Sequence, residues 1–303
     1  MLTIGSCFAE AIGDRLTTHK IHTLSNPFGV IFNPVSIHKV LIKSICNEVA
    51  SDNSFLEHNG LHSHYDFHSS FSSPEKNALA SKLAEAIGIT HYFIKDATTI
   101  VITYGTAWVY ERIDTGEIVA NCHKLPAANF TKSLLSQKKF IESFDVFHKA
   151  LKGINPSAQI VLTVSPVRHI KDTLELNAVS KSVLRVGCHS IAATYSDVEY
   201  FPSYEIMMDD LRDYRFYKSD MIHPTEEAEE YIWEIFVERY FDKMTREFFK
   251  QWKKIRSALS HQPFHPSAAS HQLFLKETLH ILNELKKFVN VDEEEQFIKS
   301  QLN

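Results

Sequence analysis

The sequence lacks the features that mark several classes of protein. Its four cysteines are widely spaced and form no Cys-x-x-Cys pair, which argues against a disulfide framework or a cysteine-rich zinc site. No apolar run approaches the roughly 18 residues that span a bilayer, and no basic segment typical of a signal peptide opens the chain. The net charge of −5 gives no reason to expect a nucleic acid or a membrane as partner. These absences predict a cytoplasmic protein in a reducing compartment.

Glycine is also scarce, with nine residues among 303, whereas histidine is abundant, with 17. Each glycine is therefore worth locating, and the histidines either form a site or are scattered. The composition, with 44% hydrophobic and 23% charged residues, is that of an ordinary globular protein. Since 303 residues exceed one typical domain, we expect one large domain with an appendage.

Short apolar runs alternate with amphipathic stretches along most of the chain. Runs rich in β-branched residues, typical of buried strands, occupy residues 2–4, 98–104, 159–164 and 197–201. Stretches with helical periodicity occupy residues 9–20, 34–50, 74–97, 131–153 and 174–195. This alternation predicts an α/β fold in which helices cover both faces of a parallel sheet. An Asn-Gly and an Asp-Thr-Gly sequence predict β-hairpins over residues 55–65 and 108–120.

The last part of the chain has a helical pattern, to about residue 259 and again over 273–288. The sequence His-Gln-Pro-Phe-His-Pro between these stretches is the best candidate linker. We therefore predict a main domain over residues 1–256 and a helical C-terminal extension over 257–303. The apolar residues of the extension indicate packing or homodimerisation.

Ser6 is the first candidate for chemistry, because Gly5 and Ser6 stand between a short strand and a helix. Such a turn lies at the carboxyl edge of a parallel sheet, where the N-terminus of a helix offers N–H groups to a developing oxyanion. The alternative is that Ser6 only caps the helix.

Asp220 and His223 are the second candidate, in the sequence Asp220-Met-Ile-His223-Pro224. One short loop could deliver both groups, with Asp220 accepting from Nδ1–H of His223 and Nε2 taking the proton of Ser6. The alternative is the first turn of a helix, with Pro224 at its start.

Taken together, these two segments resemble the SGNH (GDSL-like) hydrolases. More narrowly, residues 5–9 (GSCFA) are identified as the motif of the GSCFA domain family within that group. Further matching blocks lie at residues 26–34, 104–110, 121–124, 165–169, 200–207 and 220–224. The resemblance implies a flavodoxin-like three-layer α/β/α fold, with Ser6 as nucleophile, His223 as base and Asp220 as its partner. It implies no cofactor and does not specify a substrate.

The resemblance also implies an oxyanion hole, to which the N–H groups of Ser6 or Cys7 and of Gly29 would contribute. Gly29 could equally be a turn glycine that needs a positive φ. The third block departs from the family pattern, since Ala107 stands where the related enzymes carry an asparagine. The hydroxyl of Thr106, an N–H of the same turn, or Asn121 could replace that donor. The loss of one donor costs roughly 2.7–4 kcal/mol of transition-state stabilisation, so an active enzyme needs a replacement.

Cys7 is a rival nucleophile, because a thiol at a helix N-terminus would have a lowered pKa. We favour Ser6, since the Gly-Ser pair matches the related hydrolases, and expect Cys7 to pack as a small apolar residue.

The histidines of the first hairpin (His58, His62, His64 and His68) raise the question of a metal site. His62 and His64 would share a strand face, and Asp66 could supply a carboxylate. We expect no metal there, because no helix-borne metal motif accompanies the pair. The candidates for substrate binding are instead His68, Trp108, His123 and Arg168, although surface or capping positions explain His123 and Arg168 equally well.

The leading hypothesis is a serine-dependent ester hydrolase or acyltransferase that acts on an acyl ester, such as an acylated glycan or a small metabolite. The second hypothesis is a non-catalytic glycan- or peptide-binding protein on the same fold, motivated by the missing asparagine. The third is a metal-dependent enzyme centred on residues 58–68.

Overall fold

The computed structural model describes residues 1–302. The strands are β1 (Leu2–Gly5), β2 (Leu24–Ser25), β3 (Phe55–His58), β4 (Leu61–His64), β5 (Thr99–Tyr104), β6 (Trp108–Arg112), β7 (Ile118–Val119), β8 (Phe130–Leu134), β9 (Gln159–Val164) and β10 (Val198–Phe201). The helices are α1 (Cys7–Thr18), α2 (Pro34–Cys46), α3 (Lys76–Asp96), α4 (Gln137–Ile154), α5 (Thr173–Thr194), α6 (Ser203–Glu205), α7 (Glu226–Tyr240), α8 (Lys243–Ser260), α9 (Ala269–Leu285) and α10 (Asp292–Lys299). A π-helix, Ile206–Asp210, follows α6.

A five-stranded parallel sheet forms the centre of the larger compact unit, which comprises Met1–Thr17 and His22–Trp233. The strand order is β10-β9-β5-β1-β2, and all four pairings are parallel. Numbered along the chain within this sheet, the order is the 2-1-3-4-5 arrangement of flavodoxin-like folds. Helices flank the sheet, so the predicted three-layer α/β/α fold is confirmed.

The topological switch point of this sheet lies between β1 and β5, where the strand order reverses. Gly5 is in register with Thr103 across this pair, so the chain leaves both strands at the same edge. In open α/β sheets the crevice outside the carboxyl ends of the strands at such a point is where ligands bind. The topology therefore positions the segments after β1 and β5 for a site.

Both predicted hairpins are present. The turn of β3–β4 is formed by Asn59 and Gly60, both with positive φ as a type I′ turn requires. In the second hairpin β6 pairs with β7, and it also pairs with β8 on its other side.

The prediction of a helix over 131–153 was wrong at its start. Residues 131–134 belong to β8, whose pairing with β6 outweighs the local helical pattern. The helix begins only at Gln137, where the side chain of Ser136 caps it by accepting from the N–H of Lys139.

The start and end of α2 show how the local sequence determines a helix. Asn33 accepts from the N–H of Ser36 at 2.8 Å, and Pro34 occupies the first helical position. The helix ends at Cys46 because Asn47 adopts a left-handed conformation (φ 52°). It is therefore four residues shorter than the predicted 34–50.

A second compact unit comprises Thr18–Ile21 and the chain from Glu234 onward. Its core is built on Trp252 and Ile255 of α8 together with apolar residues of α9 and α10. The indole N–H of Trp252 donates to the carbonyl of Thr18 at 2.7 Å. The predicted boundary after residue 256 and the predicted homodimer stay predictions. Within residues 1–302 no helix has both the length and the apolar character that crossing a membrane requires.

Candidate active site

Ser6 lies at the turn between β1 and α1, and Gly5 makes this turn possible. Gly5 has a φ of +139°, and a Cβ there would stand 2.0 Å from the carbonyl oxygen of Thr103. The N–H of Ser6 donates to that same oxygen at 3.0 Å. Only glycine can therefore bring the chain so close to β5 while turning it into the helix.

The hydroxyl of Ser6 is held beneath the surface. Its Oγ accepts from the N–H of Phe8 at 3.3 Å, which is the bond of a helix cap, and the residue is only 1% exposed. The capping interaction that we weighed against a catalytic function is thus formed. It leaves the hydroxyl proton free to donate, so the two functions are compatible.

Asp220 and His223 form the hydrogen bond that their spacing predicts. Nδ1 of His223 lies 2.7 Å from Oδ2 of Asp220, and Oδ1 of Asp220 accepts from the N–H groups of Ile222 and His223 at 2.8 and 3.0 Å. The N–H and then the ring of His223 hold the pKa of the Asp220 carboxyl well below its usual range. The carboxylate therefore stays ionised and fixes the imidazole with Nε2 free to act as a base.

Arg168, which follows β9, fastens this loop to the carboxyl edge of the sheet. Its N–H donates to the carbonyl of Ile222 at 3.3 Å, and its guanidinium donates to the carbonyl of Met221 at 3.2 Å. The guanidinium also lies 3.9 Å from the ring centroid of Tyr217. Arg168 thus holds the loop, in addition to any contact with substrate.

A cavity of about 140 Å³ lies beside this loop. It is lined by Arg168, Met207, Met208, Arg212, Asp213, Tyr214 and Tyr217. The two methionines belong to the π-helix, a distortion that is frequent at functional sites. Two guanidinium groups, two phenol rings and the carboxylate of Asp213 suit a polyol.

A series of neighbours connects the Ser6 turn with the His223 loop. A Cβ on Gly105 would come within 3.3 Å of Ser6 Cβ and 2.9 Å of the Phe32 ring. The ring of Phe32 meets that of His169 edge to face, with 4.9 Å between centroids. Burial and the charge of Lys181 lower the pKa of His169 to about 4, and the charge of His223 contributes in the same direction. Among residues 1–302 no hydrogen bond joins Ser6 to His223, so the pair is not closed in this structure.

Two of the predicted oxyanion donors, Cys7 and Thr106, lie close to Ser6. Their N–H groups differ in whether they already have an acceptor. Cys7 opens α1, so its N–H has no acceptor within the helix. The N–H of Thr106 donates to the carbonyl of Phe32 at 3.2 Å, and its hydroxyl lies 3.0 Å from that of Ser180. Thr106 can therefore contribute only by changing a bond that it already makes.

The other two predicted donors have partners in their own loops. The N–H of Gly29 (φ +71°) donates to the carbonyl of Asn26 at 2.8 Å, in the turn that we weighed as its alternative function. The side-chain oxygen of Asn121 accepts from the N–H of His123 at 2.8 Å. Their contribution to an oxyanion hole stays a prediction.

The thiol of Cys7 does not have the lowered pKa expected at a helix N-terminus. Burial, the largest cause, raises the pKa of Cys7 above its ordinary value. A raised pKa gives Cys7 no activated thiolate, and the choice of Ser6 over Cys7 as nucleophile stays a prediction.

The remaining candidates for substrate binding are held by protein contacts. Nδ1 of His68 accepts from the N–H of Ser70 at 3.2 Å, and its side chain packs on Gly29. The ring of His123 bonds to the carbonyl of His64 at 2.9 Å, and the indole of Trp108 donates to a carbonyl of α5 at 3.3 Å. Their substrate contacts stay predictions.

The hairpin histidines do not assemble a metal site within residues 1–302. His64 uses both ring nitrogens, at 3.2 Å from the carbonyl of Ser51 and at 3.1 Å from the N–H of Asp66. The carboxylate of Asp66 pairs with Lys39 at 2.7 Å. His64 and Oδ1 of Asp66 are therefore engaged in contacts within the protein.

Two residues of this region, His169 and Lys181, were not predicted from the sequence. Lys181 lies on α5 in line with the buried residues Asn177, Leu184 and Cys188, at intervals of three, four and seven. A lysine on the apolar face of a helix is a signal that could have been found. His169 gave no such signal, because its neighbours come from other segments.

Two family models together match almost the whole chain. The model of the GSCFA family matches residues 1–236, and the model described as GSCFA domain protein, C-terminal domain, matches residues 252–303. No curated protein matches the chain.

Proposed function

The chain belongs to the GSCFA family, and from that premise we propose that it is a serine-dependent ester hydrolase or acyltransferase. The observation that carries the proposal is the Asp220–His223 pair, with 2.7 Å between Nδ1 and Oδ2, held at the carboxyl edge of the sheet where Ser6 opens α1. A carboxylate that fixes an imidazole near a serine at a helix N-terminus is the arrangement that acyl transfer uses.

In the proposed reaction Ser6 Oγ attacks the ester carbonyl while Nε2 of His223 takes the hydroxyl proton. Asp220 stabilises the imidazolium that forms, through the bond to Nδ1–H. His223 then gives the proton to the leaving alcohol, and an acyl-enzyme remains on Ser6. Water or a second hydroxyl resolves this intermediate, which decides between hydrolysis and transfer. Closure of the Ser6–His223 bond accompanies substrate binding, as is common for catalytic hydrogen bonds.

The cavity beside Arg168 is the proposed binding place for the non-reacting part of the substrate. Arg168, Arg212 and Tyr214 line it, and their donors and aromatic faces suit a glycan or another polyol metabolite. All four cysteines are free, which supports the proposed cytoplasmic location.

Ser6→Ala tests the proposal. Turnover of short-chain nitrophenyl esters should fall by roughly a thousandfold or more, because the substitution removes the proposed nucleophile. The matched control is Ser182→Ala, which removes an exposed hydroxyl from α5 and should leave turnover unchanged. Equal turnover by the wild type and Ser6→Ala would contradict the proposal.

A non-catalytic binding protein is the second candidate. One observation favours it, since the N–H groups of Gly105 and Thr106 both donate to the carbonyl of Phe32. That protein would bind a glycan or peptide saturably, show no esterase activity, and be insensitive to Ser6→Ala.

A further inference from the structure

Lys181 is a fully buried lysine between the two turns at the centre of the carboxyl edge. The residue is 1% exposed, and its Nζ donates to the carbonyls of Gly105 at 2.8 Å and of Ser165 at 2.7 Å. Gly105 follows β5 directly and Ser165 follows β9 directly. One side chain of α5 therefore fixes two neighbouring turns.

The ammonium group has no carboxylate partner. Among residues 1–302 no acidic side chain lies within ion-pair distance of Nζ, and the ring of Tyr204, 5.8 Å away, is the one aromatic face over which it lies. Burial lowers the pKa of Lys181 to about 7, so a substantial fraction is charged at neutral pH. Burying a cation without a counter-ion costs free energy, and such groups concentrate at functional sites.

The hydrogen bond to Gly105 acts on one particular peptide group. The carbonyl of Gly105 and the N–H of Thr106 belong to the same peptide, so a cation on the oxygen makes the N–H a stronger donor. The carbonyl of Phe32 accepts from two N–H groups, that of Gly105 at 2.8 Å and that of Thr106 at 3.2 Å. The hydrogen bond from Thr106 is the longer of the two. The preceding residue lies beside Ser6, since a Cβ on Gly105 would stand 3.3 Å from Ser6 Cβ.

We propose that Lys181 is a positioning residue of the acyl-transfer site, whose ammonium group holds and polarises the Gly105–Thr106 peptide so that Thr106 N–H stabilises the oxyanion formed at Ser6. The inference rests on the proposed function. Lys181 touches no substrate, and its effect passes through the peptide. Because Thr106 N–H already donates to the carbonyl of Phe32, it contributes by shifting or sharing that bond when the oxyanion forms.

Asn155 provides a matched control at the opposite edge of the sheet. It is also buried, and its side-chain amide also donates to two backbone carbonyls, those of Ile94 and Ala97, at 2.8 and 2.9 Å. It carries no charge and lies far along the strands from Ser6. A purely structural function of Lys181 would make the two residues equivalent.

The experiment compares the rate at which a fluorophosphonate labels Ser6 in the wild type, Lys181→Met, Lys181→Gln and Asn155→Leu. Lys181→Met keeps the side-chain volume and removes the charge, and it leaves the carbonyls of Gly105 and Ser165 without this donor, so the folding of the variant is checked first. Its labelling rate should fall roughly ten- to a hundredfold, less than the 10²–10³ typical of a direct oxyanion donor. Its kcat for ester turnover should fall by a similar factor with KM unchanged, and Lys181→Gln should behave alike.

Asn155→Leu should lower the melting temperature and leave the labelling rate of Ser6 unchanged, in contrast to the Lys181 variants. A wild type that takes no label would overturn the proposed function and this inference with it. A wild type labelled at Ser6, with both Lys181 variants folded and labelled at the same rate, would overturn the inference alone. If both Lys181 variants fail to fold while Asn155→Leu folds, Lys181 is structural and the inference is also overturned.

Discussion

Several histidines of the larger unit are kept neutral by burial. His38 is the clearest example, because Nδ1 lies 2.6 Å from the hydroxyl of Ser143 and Nε2 lies 2.7 Å from that of Tyr104. Burial lowers the pKa of His38 to about 3, and burial is also the main reason that the pKa values of His64 and His169 are about 4. In the unfolded chain a histidine takes up its proton near pH 6.5.

The sign of the resulting pH dependence follows from proton counting. Below pH 6.5 the histidines of the unfolded state bind protons, whereas the buried histidines of the folded state do not. The free energy of unfolding therefore falls as the pH falls toward 4. Each such histidine contributes a slope of up to about 1.4 kcal/mol per pH unit. Denaturant unfolding between pH 7 and 4.5 should therefore show a steep loss of stability.

His38→Phe tests whether buried neutral histidines cause the loss of stability at acid pH. It should lower the stability at pH 7, because the hydroxyls of Tyr104 and Ser143 lose a partner, but it should also flatten the acid dependence. His189→Gln changes an exposed histidine of α5 and should leave the slope as in the wild type. An unchanged slope in His38→Phe would show that His38 does not remain neutral.

At the scale of elements, the turn from β1 into α1 is the most constrained segment of the site. Its glycine cannot be replaced without moving β5, since a Cβ would collide with the carbonyl of Thr103. Gly5→Ala should therefore lower the free energy of unfolding by about 3 kcal/mol or more, from backbone strain and steric overlap together.

Gly88 is the contrasting glycine. It lies within α3, and a Cβ there would meet nothing within 4 Å. Gly88→Ala should raise the stability by about 0.4–1 kcal/mol, because it restricts only the unfolded chain. Chemical denaturation of the two variants measures both effects, and a tolerated Gly5→Ala would contradict the geometry described for the Ser6 turn.

The elements that could be predicted from sequence are those whose pattern is local. The continuous apolar runs of β5 and β9 and the Asn-Gly turn of the first hairpin were predicted correctly. β8 was mistaken for the start of α4, because only its pairing with β6 distinguishes it from a helix. The short α10 was missed, because a helix of eight residues spans little more than two turns and gives only a short pattern.

At the scale of the whole molecule, the fold brings distant segments to one edge of the sheet. The Asp220–His223 bond could be predicted, because both residues lie in one short loop. The contact of this loop with Arg168, the series from Gly105 to His169, and the contact of Lys181 with Gly105 could not, since each joins segments far apart in the chain. The sequence therefore indicated the chemical groups of the site, and the topology determines their neighbours.

The central claim is that Ser6 is the nucleophile. The measurement that tests it most directly is mass-spectrometric mapping of the residue that a fluorophosphonate modifies in the folded wild-type protein. The account predicts one phosphonyl group per chain, carried by Ser6, and its loss in Ser6→Ala. Modification of a different residue, or of none, would contradict it.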